Sequence, residues 1–286
     1  MIEPSGRRFF ERVVVALDAC SLRSTALEVA ARLASASNGE LVGLFVEDIN
    51  LINLSSLPFS REISMRSLQT RSLETIEVER QLRQAAGEAR RELARIADRM
   101  NIAWRFDVVR GEMNRELVSA ARKTDLLVLC EDSEVTDQRQ ADICVEIVVQ
   151  DVAFVGSVLV GRQVRSGQGG VVALVEANAC GDSVILRAAD LAMAQDQPLI
   201  LFVIAQSDEE AEDLKQQSEH ALADVQPVQM RRFSDFDLSI LVHNINAVRP
   251  SIVIICSADD NVQSQTRIRR LVSQINAPIL FLRRDD

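Results

Sequence analysis

One pattern occurs twice along the chain, and this constrains the fold more than any other feature. Short runs, mostly β-branched and aliphatic, stand at Val13–Leu17, Leu41–Val46, Phe106–Val109, Leu126–Leu129 and Val158–Val160. Five more follow in the same order at Val171–Val175, Leu199–Ile204, Val228–Arg232, Ile252–Ile255 and Ile279–Leu282. Runs of this kind suit strands buried on both faces. Between the first two runs of each set the period changes to that of a helix. Leu27, Ala30, Ala31 and Ala34 share one face within 25–35, and Ile185, Ala188, Ala189 and Ala192 do so within 183–194. Strands that alternate with helices need crossover connections, and these imply parallel pairing with helices on both faces of the sheet. Further helices are predicted over 114–122 and 238–248, the second stopped by Arg249-Pro250. The expected fold class is therefore α/β, with two doubly wound five-stranded parallel-sheet domains in tandem.

The domains are expected at 1–165 and 166–286, with Ser166, Gly167, Gly169 and Gly170 read as a flexible link. The first set carries about thirty extra residues between its second and third runs, more than loop-length scatter explains. They are assigned to one long helix over about 63–100, in which Leu82, Ala86, Ala89, Leu93, Ile96 and Met100 recur in alternating steps of three and four. Such a seam either packs on its own sheet, the favoured reading, or meets another subunit. The apolar stretch INLINLSSLPFS at 49–60 is expected to bury against that helix, with an exposed contact patch or lid as the other reading.

Composition removes several function classes. No apolar run approaches the eighteen or so residues of a membrane span, so no membrane partner is expected. Basic and acidic residues number 22 against 25 in 1–165 and 10 against 17 in 166–286, and aromatic residues make up only 4% with no Tyr. Neither half attracts a polyanion or offers stacking platforms, so nucleic acid is not expected as a partner. Residues 1–12 contain Arg7, Arg8 and Arg12 but no apolar signal-peptide stretch, and the expected compartment is the cytoplasm. Cys20, Cys130, Cys144, Cys180 and Cys256 are odd in number and lack CxxC spacing, so reduced thiols are expected rather than a disulfide framework or a zinc knuckle.

No catalytic constellation stands out. A nucleophile needs a neighbouring base, and the two histidines, His220 and His243, both lie in helical stretches of the second half. The acidic pairs Glu47/Asp48, Glu131/Asp132 and Asp259/Asp260 read as solvated loop charge rather than metal ligands. The chain is expected not to be an enzyme.

Five segments in order, VVVALDACSLRSTALEVAARLA (13–34), GELVGLFVED (39–48), FDVVRGEMNRELVSAA (106–121), DLLVLC (125–130) and GSVLVGR (156–162), resemble a universal stress protein domain. A second, more worn set, VVALVEANACGDSVILRAADLA (171–192), PLILFVIA (198–205), PSIVIIC (250–256) and APILFLRR (277–284), is similar, so the chain resembles a tandem universal stress protein. The resemblance implies sheets of order 3-2-1-4-5 packed as a pseudo-twofold pair. It also implies where a nucleotide would sit: at an Asp ending strand one and a glycine loop after strand four, whose amides would cradle phosphate. Asp18 matches that Asp, Gly111 corresponds to a glycine near the nucleotide, and Gly156 with Ser157 could close the loop.

The loop itself is missing. From Glu131 through Val155 there is no Gly, and seven carboxylates face one arginine, Arg139. Cys256 to Pro278 likewise has no Gly, and Val175 with Glu176 stands where the Asp would be. No cofactor is expected, ATP included. Ser264, Thr266, Arg267, Arg269 and Arg270 could hold an anion or simply form a basic helix face. In the implied sheet order, Cys20 would lie near Cys130 and Cys180 near Cys256, and mild oxidation is expected to join either pair. The functional expectation is a non-enzymatic stress-response or regulatory protein acting through protein contacts and assembly as a homo-oligomer. The alternative is a sensor of a small molecule or nucleotide at the crevice between strands one and four of the first domain.

Overall fold

A computed structural model describes residues 10–17, 24–63, 69–120, 125–130, 157–161, 169–176, 181–205, 207–222, 228–233, 237–257 and 262–283. In the first half the elements are β1 (Arg12–Leu17), α1 (Ser24–Ala36), β2 (Glu40–Asp48), α2 (Ile49–Ser55), β3 (Arg61–Ile63), β4 (Thr70–Ser72) and α3 (Thr75–Met100). These are followed by β5 (Trp104–Gly111), α4 (Met113–Ala120), β6 (Asp125–Cys130) and β7 (Ser157–Gly161). The second half comprises β8 (Val171–Glu176), α5 (Gly181–Ala194), β9 (Leu199–Ile204), α6 (Asp208–Ala221) and β10 (Val228–Phe233). It ends with α7 (Leu238–Val248), β11 (Ile252–Ser257), α8 (Val262–Gln274) and β12 (Ile279–Arg283).

The protein is α/β. Ten strands form one sheet in the order β10-β9-β8-β11-β12-β7-β6-β1-β2-β5. Every pairing in it is parallel except β12 with β7, where Leu280 lies opposite Leu159 and Phe281 opposite Val158. Each half contributes five strands, and the two halves meet edge to edge. Apolar edge strands are aggregation templates, and here each covers the other. The outer edges are β5 and β10, half exposed and carrying Arg105, Asp107, Arg110, Arg231 and Arg232, charges that discourage further pairing.

Alternation along the inner strands divides the core between the two faces. Val13, Val15 and Leu17 belong to one cluster with Leu27, Ala30 and Ala31 of α1 and Ala89, Leu93 and Ile96 of α3, and this cluster continues into the apolar face of α5. Val14 and Ala16 face the other way, into a cluster with Leu117 of α4, Leu241 and Ile245 of α7, and Ile268 and Leu271 of α8. The seam of α3 is thus internal: Leu82, Ala86, Ala89, Leu93 and Ile96 are all buried within the chain. Gly43 lets this helix approach β2. A Cβ there would lie 2.7 Å from Leu93 Cδ1 and 2.9 Å from the Phe106 ring.

Two expectations are corrected here. The long helix begins at Thr75 rather than near 63, because the Ser- and Thr-rich stretch before it pairs as a small β3–β4 hairpin. Ser and Thr offer the backbone local alternatives to helix, which favours such an outcome. Gly169 and Gly170 are not slack. The Gly169 amide donates to the Arg249 carbonyl (3.1 Å) and the Gly170 carbonyl accepts from Ser251 N (2.8 Å). Gly170 has φ +90°, and a Cβ on Gly169 would lie 1.9 Å from the Val248 carbonyl oxygen, so both positions require glycine for close approach. The stop after α7 forms as predicted. Asp237 caps its start by accepting from Ser239 N (2.9 Å), and Arg249, in the left-handed region, ends it before Pro250. Among the described residues no helix is long and apolar enough to cross a membrane.

Candidate functional site

In a doubly wound sheet the chemistry gathers at the carboxyl ends of the strands, beside the switch between strands one and four. Antiparallel pairing of β7 with β12 turns these ends to opposite edges of the shared sheet, so the crevice that the topology implies beside β1/β6 and the one it implies beside β8/β11 open at opposite edges.

In the first half, Asp18 and Gly156 lie outside the described residues. Gly111 ends β5 in register with Asp48, two strands away from β1. A Cβ there would meet the Glu116 side chain at 2.3 Å, so the bare backbone makes room for that carboxylate. Ser157 opens β7 in parallel register with Leu126, at the amino edge of the sheet. Gly111 and Ser157 therefore stand at opposite edges and are not brought to one site.

What the sheet register does assemble at the first carboxyl edge is a charge network that the sequence reading did not identify. Glu47 and Arg110 are register partners on β2 and β5. Buried Glu47 accepts from Arg110 Nε at 3.0 Å and Nη2 at 2.8 Å, and Arg110 Nη1 reaches Glu79 of α3 at 3.2 Å. The hydrogen bonds to Glu47 raise the Arg110 pKa, which keeps the guanidinium charged. Asp48 accepts from Asn50 N at 2.8 Å and caps α2. The Glu47/Asp48 pair is thus committed to an arginine and a helix start. Among the described residues no cluster of three metal-ligating side chains occurs.

At the opposite, amino edge, Arg12 and Asp125 are register partners on β1 and β6, both buried. Arg12 Nε donates to Asp125 Oδ1 at 2.9 Å, Nη2 pairs with Oδ2, and Nη2 also reaches the Ala120 carbonyl at 3.1 Å. The legible signal was a charged residue immediately before each of two buried runs, which becomes a pair once the strands are known to be neighbours.

The second crevice is better defined. Glu176, at the end of β8, pairs with Arg267 of α8, a guanidinium that burial pushes down to about 10, still charged at neutral pH. Thr266, Arg269 and Arg270 are exposed on the same helix, so the basic cluster splits, with Arg267 turned to Glu176 and its neighbours toward solvent. The side chains of Ser264 and His220 lie outside the described set, and His243 is exposed.

Cys256, near the end of β11 and packed against the first core cluster, is disulfide-bonded, which corrects the expectation of reduced thiols. Topology narrows its partner. Cys130 ends β6, three strands away and at the other edge, and three spacings of ~4.8 Å exceed the ~7 Å reach of a disulfide. Cys20 follows β1, one strand further on. Cys180, outside the described residues, follows β8, the strand directly beside β11. Peptide mapping without reductant is expected to recover a Cys180–Cys256 cross-link, and reduction or Cys256→Ser to lower the melting temperature by roughly 5 °C or more, as befits closure of a long loop. Recovery of Cys256 joined to Cys144 would contradict this pairing.

Solved structures of similar fold were found at low sequence identity. The chain superposes on a universal stress protein from Archaeoglobus fulgidus with a TM-score of 0.68 at 12% identity, over 96% of this chain and 97% of that one. A putative universal stress protein from Pseudomonas aeruginosa matches at TM-score 0.59 and 11% identity, over 96% and 93% of the two chains. A functionally unknown protein from Pseudomonas aeruginosa matches at 0.60 and 12%, over 97% and 94%. No protein-family model and no curated protein matches the sequence. The protein has the universal stress protein fold.

Proposed function

We propose that this chain is a non-enzymatic stress-response or regulatory protein that acts in the cytoplasm through protein contacts and self-assembly rather than through ATP. The fold likeness to universal stress proteins supplies the class. The observation that carries the rest is the segment 131–155, with seven carboxylates, one arginine and no glycine where a phosphate loop would need bare amides. A triphosphate brought there would meet repulsion and find few backbone donors. In the second half, Arg267 and Glu176 satisfy each other at the equivalent crevice, which leaves the closest guanidinium already engaged.

Titration calorimetry with ATP and magnesium tests the reading. No saturable binding is expected up to millimolar nucleotide. Binding tighter than about 100 μM, worth roughly 5.5 kcal/mol, would overturn it in favour of a nucleotide sensor at the first crevice.

A further inference from the structure

The described residues 49–63 and 69–80 form a lobe that the ten-stranded sheet does not need. Helix α2 lays Ile52 against Val78 and Leu82 of α3 with Leu73 beside them, a small cluster separate from the two main cores. The β3–β4 hairpin is tied to that cluster where Leu73 N donates to the Ser60 carbonyl at 3.0 Å, and Ser55 Oγ reaches Thr75 Oγ1 at 3.1 Å. Only one face of the apolar stretch is used in this way. Phe59 is 91% exposed and Ile76 79%, while Leu51, Leu54, Leu57 and Ile63 lie between 36% and 61%. Six of the exposed large apolar side chains thus belong to one anchored lobe.

We infer that this lobe is the surface through which two copies of the chain associate. The inference rests on the assembly reading above and names its interface. Area is the first argument. At roughly 200 Å² for a fully exposed large apolar side chain, the six display ~700 Å², more than the patch usual on a monomer and close to the ~800 Å² each partner contributes to a stable complex. Charge is the second. The chain carries a net charge of −10, yet the described residues of the lobe hold three arginines (Arg61, Arg71, Arg80) against four glutamates (Glu62, Glu74, Glu77, Glu79), close to balance. Two acidic molecules repel least where each is locally neutral, and mixed signs on one surface suit a twofold contact in which each patch meets itself. The third argument is the hairpin. A two-stranded ribbon is marginal alone and gains from further strands or an apolar cover, which a second lobe supplies.

Sedimentation velocity between about 1 and 100 μM tests this with the full chain and with Phe59→Glu/Ile76→Glu. Both side chains are exposed, so the fold is expected to survive, checked by an unchanged circular dichroism spectrum and melting temperature. Wild type is expected at twice the chain mass of 31.7 kDa. The variant is expected as monomer, its dissociation constant raised at least 100-fold, and Leu54→Ala/Phe59→Ala is expected to weaken the dimer in the same direction. A variant that stays dimeric overturns this surface and leaves assembly through another face intact. A wild-type chain monomeric at 100 μM overturns the inference together with self-assembly, whatever the nucleotide titration shows. Wild-type monomer that floats with phosphatidylcholine vesicles would give the patch to a lipid surface and equally overturn the inference.

Discussion

Leu93→Glu is expected to abolish the folded protein rather than release a folded monomer. Leu93 is fully buried between α3 and β2, its Cδ1 filling the space that Gly43 leaves open. Removing the side chain alone costs about 2–5 kcal/mol. An unpaired carboxylate forced into the same apolar space adds a desolvation cost of several kcal/mol. Against a total stability of about 5–15 kcal/mol, the sum removes most or all of the folded population. Circular dichroism melts should show no cooperative transition at 25 °C, whereas Arg90→Ala, on the exposed face of the same helix, should melt like the wild type. A Leu93→Glu chain that stayed folded would show that the seam does not pack internally.

Asp125→Ala is expected to destabilise by about 3–5 kcal/mol, because it leaves the Arg12 guanidinium buried without its carboxylate. Arg12→Met/Asp125→Leu should recover most of that loss, since a buried ion pair exchanged for apolar groups of similar volume is often close to neutral. Chemical denaturation of the two single variants and the double variant closes the cycle. A loss below about 1 kcal/mol in Asp125→Ala would place the pair effectively in water. The pH dependence follows from the arginine. The hydrogen bond that Arg12 donates to Asp125 raises the Arg12 pKa, so its contribution is fully present below the ordinary arginine value and lost only as pH rises through the raised one. Stability carried by Arg12 should therefore be flat through the neutral range.

The reach of the sequence reading follows the physics of each element. The eight inner runs were legible because a strand buried on both faces admits few polar residues, and β1, with Arg12 at its start and Val13 to Leu17 behind it, leaves little room for another assignment. The internal packing of α3 could be anticipated from its stripe but not settled, since a coiled-coil seam and a core-facing stripe look alike in sequence. Helix α6 was read only as a helical stretch around His220, without bounds, because it is polar nearly throughout, and among its described side chains only Leu214 is a clearly buried anchor. The 49–60 stretch was half right. Ile52 and Ser55 do pack inward, but Leu54, Leu57 and Phe59 remain exposed, a division that depends on where α3 lies rather than on composition.

The site was less legible than the fold because its contacts join residues far apart in the chain. Glu47 meets Arg110, Glu176 meets Arg267 and Arg12 meets Asp125, each through sheet register or helix placement that no local motif announces. Ser157 illustrates the converse. Gly156-Ser157 fits a loop-closing motif on paper, yet parallel pairing with β6 sets Ser157 at the amino edge, where it serves the start of a strand.

Native mass spectrometry of freshly purified protein tests the central claim most directly, because nucleotide content and subunit number appear in one spectrum. A species of two 31.7 kDa chains with no mass added by an adenine nucleotide is expected. A chain carrying one stoichiometric nucleotide through purification would contradict it.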